Sequence, residues 1–183
     1  MKILGLLRHA KSEWDDLAMR DFDRGLNERG RRGAKLIGDH IRDHGIKWDL
    51  LIASPAVRVK ETLDDAELDG TPSYDEKLYL ASADTIQEVA QAHAAAAVSV
   101  GDAEPDSILI SGHNPGLQEV LLDLVSPALE NELFREATVK FPTATFAILE
   151  CKVDSWADLK NYCAELVHFV RPRDLDQDLG PEH

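Results

Sequence analysis

Three short apolar runs dominate the pattern of this chain: residues 3–7, 50–53 and 107–111, each bounded by polar or turn residues. A run that short and apolar throughout suits a strand buried on both faces, the environment of a central parallel strand. Parallel neighbours cannot be joined by a tight hairpin. They need a crossover, usually a helix, and the intervening sequence provides one each time. Residues 28–44 carry apolar Ala34, Leu36, Ile37 and Ile41 among charges, and Gly45 stands just beyond as a helix C-cap. Residues 55–68, 84–98 and 115–125 read as further helices, the last with Pro115 or Gly116 in its first turn. A later run, 145–150, follows a polar loop around Pro142 and reads as an added edge strand. The alternation predicts an α/β fold, a three-layer α/β/α sandwich with a mainly parallel central sheet. No internal repeat or low-complexity linker divides the chain, so residues 1–170 are expected to form a single domain. The Pro- and Asp-rich tail, 171–183, is expected to run over the surface or be poorly ordered.

In sheets of this kind ligands bind beyond the carboxyl ends of the parallel strands. There the sequence places Arg8-His9-Ala10 after the first run, Ser54-Pro55 and then Arg58 after the second, and Gly112-His113-Asn114-Pro115 after the third. The surrounding charge sharpens the point. At a net charge of -14 the surface repels nucleic acid and anionic membranes, so neither is expected as a partner. An anionic ligand then requires a local basic pocket, and two arginines and two histidines on one rim supply it. No apolar stretch approaches the ~20 residues of a membrane helix, and Arg8 interrupts the first run too early for a signal peptide. A cytoplasmic location is expected. Cys151 and Cys163 lack metal or redox spacing and read as ordinary reduced thiols.

Phosphoryl transfer fits these residues. The transferred group carries charge on its equatorial oxygens, which fixed cationic donors stabilise. Arginine's planar fork binds phosphate bidentately and keeps its proton. A neutral imidazole can serve as nucleophile and form a covalent intermediate without a metal. His9 is the candidate nucleophile. Arg8, Arg58 and His113 are candidate phosphate ligands, with Lys11 and Ser12 as further substrate contacts. Free N–H groups at the start of the helix after Ser54-Pro55 are a further candidate, although Ser54 itself reads first as a helix cap. His40, His44, His93 and His168 read as plain helix or surface residues.

Taken together the motifs resemble the histidine phosphatase superfamily, also called phosphoglycerate mutase-like. Leu7-Arg8-His9-Ala10-Lys11-Ser12 is similar to its opening RHG signature, with Ala10 in place of the usual glycine. Asn27-Glu28-Arg29-Gly30 resembles the segment before its first helix, residues 54–62 its second-arginine segment, and Gly112-His113-Asn114-Pro115 its second-histidine segment. The order is the family's. The short chain, the Leu78-Tyr79-Leu80-Ala81-Ser82 segment and the GHNP form resemble the small SixA-type phosphohistidine phosphatases. That resemblance implies a phosphoglycerate mutase-like sandwich, His9 as nucleophile, and activity with no metal or organic cofactor.

One departure from the pattern bears on substrate. Aligned through Leu78, the general-acid glutamate of many larger members falls at Leu80, which holds no proton. An alkoxide leaving group needs an acid, whereas imidazole, with a conjugate-acid pKa of about 6.5, leaves already protonated near neutral pH. Asp16 is the candidate replacement donor, with Asp15 and Asp21 in the same loop. The expected substrate is a phosphorylated protein carrying phosphohistidine. The alternatives are a small phosphorylated metabolite or nucleotide as substrate, or a non-catalytic phosphate-binding module. The chain has no insertion large enough for an elaborate substrate cap.

Overall fold

In the computed structural model, which describes residues 1–180, the apolar runs become the middle of a six-stranded sheet. Its strands are β1 (Lys2–Arg8), β2 (Leu50–Ala53), β3 (Ser73–Tyr74), β4 (Ser107–Gly112), β5 (Phe146–Cys151) and β6 (Ala164–Val170), in the spatial order β3-β2-β4-β1-β5-β6. β1 to β4 pair in parallel, while β5 is antiparallel to both its neighbours. The helices are α1 (Glu28–His44), α2 (Val57–Ala66), α3 (Ala83–Ser99), α4 (Gly116–Leu124), α5 (Glu132–Val139) and the single turn α6 (Pro172–Leu175).

Alternation along each strand divides the core into two layers. Leu4 and Leu6 of β1, Ile108 and Ile110 of β4, and Ala147 and Leu149 of β5 pack under α3, α4 and α5. Leu7, Leu109, Phe146 and Ile148 point the other way, to Ala34, Ile37 and Ile41 of α1 and Val59 and Leu63 of α2. The expected three-layer α/β/α sandwich with a mainly parallel sheet is what forms. α1 occupies the expected span, capped by the Asn27 side chain on the Gly30 N–H and closed by Gly45 at φ 88°.

The sheet's outer edge differs from the expectation. β5 is not an edge strand but an interior one, buried at all but one position, and β6 covers it. The physical reason lies in β6: its burial alternates, with Glu165, Val167 and His168 interrupting the apolar face, so one side meets water and the run is not continuously apolar. The chain after β6 turns across α1. Pro172 is buried, Arg32 pairs with Asp176 at 2.6 Å, and Arg29 donates to the Gly180 carbonyl. Positions 181–183 of the expected tail lie outside the described residues. Cys151 and Cys163 are both buried free thiols. Among the described residues no helix is long and apolar enough to cross a membrane.

Candidate active site

The ends of β1, β2 and β4 lie level, because Arg8 pairs in register with Gly112 and Ala53 with Ser111. The residues that follow therefore emerge at one rim. His9 N–H donates to Gly112 O at 3.1 Å and Ser54 N–H to Ser111 O at 3.0 Å, which extends the ladder one residue past each strand. A cavity of about 650 Å³ opens there, lined among others by Arg8, His9, Lys11, Ser12, Arg58 and His113.

His9 is 7% exposed, and its Nδ1 lies 2.7 Å from the Ala10 carbonyl. A carbonyl only accepts, so Nδ1 carries the proton and Nε2 keeps its lone pair. Arg58 Nε donates to that nitrogen at 3.3 Å. Burial lowers the His9 pKa most, the Ala10 hydrogen bond opposes it, and the nearby His113, Arg58 and Arg8 lower it further, to about 3. The ring is neutral at pH 7. The loop bearing it is fastened to α2: Ala10 N–H donates to Thr62 Oγ1 at 2.9 Å, and that hydroxyl donates to the Arg58 carbonyl at 2.7 Å.

The His113 ring sits 5.3 Å from that of His9, centroid to centroid. Its Nδ1 faces Arg58 Nη2 at 3.4 Å, and arginine only donates, so Nε2 carries the proton toward Ser54 Oγ at 2.8 Å. Burial and the Arg58 charge bring its pKa down to about 4. Ser54 thus orients His113, and also accepts from Ala56 N–H at 3.3 Å, instead of capping α2. Of the residues at the start of α2, Arg58 lines the cavity while residues 54–57 are not part of its lining.

Arg58 is 2% exposed and held from behind, Nη1 on the Asp21 carbonyl at 2.7 Å and Nη2 on the Asp21 carboxylate at 3.0 Å. Arg8 donates Nη1 to the Phe141 carbonyl at 2.9 Å, while its buried Nε has no partner. A buried donor left open beside a cavity is matched by an anionic oxygen. Burial and the adjacent Arg58 lower the Arg8 pKa. Against the acidic chain as a whole, the cavity collects Arg8, Lys11, Arg24, Arg29, Arg58, Lys140, Arg171 and Arg173 around one carboxylate, Asp21.

The remaining expectations divide. Lys11 and Ser12 both reach the cavity, and the Ser12 hydroxyl accepts from Arg24 Nη1. Gly30 is required behind them: a Cβ there would lie 2.0 Å from the Lys11 carbonyl oxygen, so the helix can approach the loop only without a side chain. Asp16 does not reach the cavity. It is exposed and its carboxylate accepts from Ala18 N–H at 3.0 Å, closing its own turn. The carboxylate that does arrive is Asp21. Burial raises its pKa, but hydrogen bonds from Tyr79, Arg24 and Arg58 outweigh this and hold it well below the usual carboxylate range. Asp21 is an anion that positions Arg58 and offers no proton at neutral pH. Leu80 lines the cavity at φ 50°, so the position facing the site holds an aliphatic chain. Tyr79, whose hydroxyl donates to Asp21 and whose ring meets His113 edge-on at 5.4 Å, lies in a segment that carries the resemblance but is given no role there. Arg24, stacked over Trp14 at 3.5 Å, has no local sequence signal.

Residues 4–79 match the sequence profile of the histidine phosphatase superfamily (branch 1). An uncharacterized protein of Mycobacterium leprae is 33% identical over 172 residues, spanning 91% of this chain and all of the other. The proposed phosphohistidine phosphatase SixA of Nakamurella multipartitia superposes with a TM-score of 0.77 at 30% identity, covering 93% of this chain and 96% of that one. Its counterpart from Agrobacterium tumefaciens superposes at 0.69 with 29% identity over 93% and 99%. With its fold, its rim of arginines and histidines and these relatives in agreement, the chain belongs to the histidine phosphatase superfamily and is a phosphatase of SixA type.

Proposed function

We infer that the protein is a phosphohistidine phosphatase that works on phosphorylated proteins through a covalent phosphohistidine on His9. The observation that carries this reading is the state of His9: a buried, neutral ring whose Nδ1 is committed to Ala10, leaving Nε2 as a nucleophile among arginines. Binding alone has no use for that lone pair.

In the first step Nε2 of His9 attacks phosphorus in line. The Nε2–P bond forms as the P–N bond to the substrate imidazole breaks, and the departing ring, protonated near neutral pH, leaves as neutral imidazole. Arg8 Nε, Arg58 and His113 hold the equatorial oxygens. An arriving phosphate dianion raises the His113 pKa, so this ring takes up a proton and donates as well. In the second step water attacks phosphorus and the Nε2–P bond breaks, releasing phosphate.

Substrate class follows from the missing acid. Asp21 is ionised and Leu80 is aliphatic, so no carboxylic acid in the cavity is set to protonate an alkoxide, the proton taken up by His113 is engaged on the phosphate oxygens, and a phosphoramidate needs neither. Lys140 and Arg173 also line the cavity, and these added cations support a phosphoprotein over a lone phosphoryl group. The test is phosphate release from a phosphohistidine peptide and from an alkyl phosphoester, by wild type and His9→Ala, with chelator present. Release by wild type alone, faster from the phosphohistidine, is expected. Faster release from the alkyl ester would overturn the substrate class, and equal release by His9→Ala would overturn the mechanism.

A further inference from the structure

On the face of the molecule formed by α1 and β6, three histidines converge. His40 and His44 stand one helical turn apart on α1, which puts them on one side of the helix, and His168 meets them from the edge strand. One ring nitrogen from each lies within 4.8 Å of the others, and the Nε2 atoms of His40 and His168 are 2.7 Å apart. The His40 and His168 rings lie nearly coplanar, edge to edge, with centroids 5.0 Å apart and an interplanar angle of 5°, while the His44 ring centroid lies 4.3 Å from that of His168. We propose that His40, His44 and His168 form a binding site for one divalent first-row transition-metal ion of the zinc, nickel and copper class, with the fourth coordination position open to solvent.

The donor set determines the class of ion. Three imidazoles and no carboxylate suit borderline-soft ions and disfavour Mg²⁺ and Ca²⁺, which prefer oxygen. The spacing fits as well. Nitrogens about 2.0–2.1 Å from a tetrahedral ion stand roughly 3.3 Å from one another, inside the 2.7–4.8 Å spread of the cluster. Without an ion the cluster is poorly matched internally. A neutral His40–His168 pair shares one proton between two Nε2 atoms, and protonating both sets two cations face to face. Asp43 adds negative potential beside His40, and the net charge of -14 attracts cations in general.

The location gives the ion a consequence. α1 starts at the cavity, where Gly30 and Gly33 line it, and β6 leads directly into Arg171 and Pro172, which line it too. An ion held by both elements pins together two walls of the phosphate cavity from behind. The site shares no residue with that cavity, so the proposal stands apart from the phosphatase reading.

The experiment uses the full, untagged chain stripped with chelator and dialysed, with ZnCl₂ as probe in isothermal titration and thermal unfolding, and MgCl₂ as control. One equivalent of Zn²⁺ is expected to bind with a Kd of about 1 μM or tighter, and to raise Tm by about 5–10 °C at a hundredfold excess over Kd, with no shift from Mg²⁺. His44→Ala, at an exposed position, and His168→Asn are each expected to weaken binding at least tenfold, while His9→Ala binds zinc as wild type does. The metal-free Tm of each variant shows that it is folded. No saturable zinc binding by wild type, binding unweakened in either cluster variant, or binding lost in His9→Ala would each overturn the site.

Discussion

The molecule holds two groups of histidines whose rings face different things. At the cavity, His9 and His113 are surrounded by guanidinium groups, and each ring has one nitrogen committed to a hydrogen-bond acceptor, the Ala10 carbonyl or Ser54 Oγ. The other nitrogen of each therefore points at Arg58, where a phosphate would sit. At the sheet edge, His40, His44 and His168 face one another with no arginine between them. The same side chain is thus prepared for phosphorus in one place and for a metal ion in the other. What differs is the neighbour: a fixed cation next to an imidazole excludes a metal ion and attracts an anion.

The largest effect that tests this contrast is removal of the nucleophile. His9→Ala is expected to lower kcat on a phosphohistidine peptide by about 10⁴–10⁶-fold while the Tm stays near wild type, because the ring lines the cavity. Stopped-time assays of phosphate release, paired with thermal unfolding, measure both. A loss under tenfold would remove the distinction between the two clusters.

Next come the arginines. Arg58→Ala is expected to cost about 10³-fold in kcat/KM, the size of losing one fixed donor to developing negative charge. Arg58→Lys should recover only part of this, since an ammonium cannot reach His9, His113 and Asp21 together. Full rescue by lysine would mean that charge alone matters and that the fork geometry does not.

The sequence reading was most successful where chemistry sits next to a strongly patterned strand. β1, β2 and β4 are apolar on both faces, and the polar residues directly after them are delivered to the rim by the strand itself, so Arg8, His9, Arg58 and His113 were legible. The misses are non-local or weakly patterned. Asp16 and Asp21 belong to one loop, and nothing local says which turns inward. That is decided by Arg58, 37 residues on, and by Tyr79, 58 residues on. β6 carries charges on its open face and α5 is only 8 residues long, so neither shows a clear period. The spacing of His40 and His44 is visible in the chain, but His168 is 128 residues from His40 and only the sheet brings it there.

A smaller effect concerns orientation. Ser54→Ala removes the acceptor for His113 Nε2–H, and the ring is then free to turn over. A fall of about tenfold in kcat with little change in KM is expected, the cost of one net hydrogen bond, with rescue by Ser54→Thr. Steady-state kinetics on all three forms separates this from direct phosphate binding, which would raise KM instead.

The last effect compares the two clusters through pH. A histidine whose pKa is lowered by folding binds its proton more readily in the unfolded chain, so stability is present above about pH 6.5 and is lost as pH falls toward the folded value. For His113, with a folded pKa of about 4, the loss between pH 7 and pH 5 comes to about 2 kcal/mol. The His168 pKa is also lowered to about 4, but the ring is only half-buried, and solvent screening makes its share smaller. Urea unfolding at both pH values is expected to show a flatter acid loss in His113→Asn than in wild type, with His168→Asn intermediate. Comparison with wild type removes the background from the chain's large negative charge, which eases as carboxylates protonate. A larger flattening from His168→Asn would reverse the ranking and make the sheet-edge cluster, not the phosphate cavity, the more costly place to put a proton.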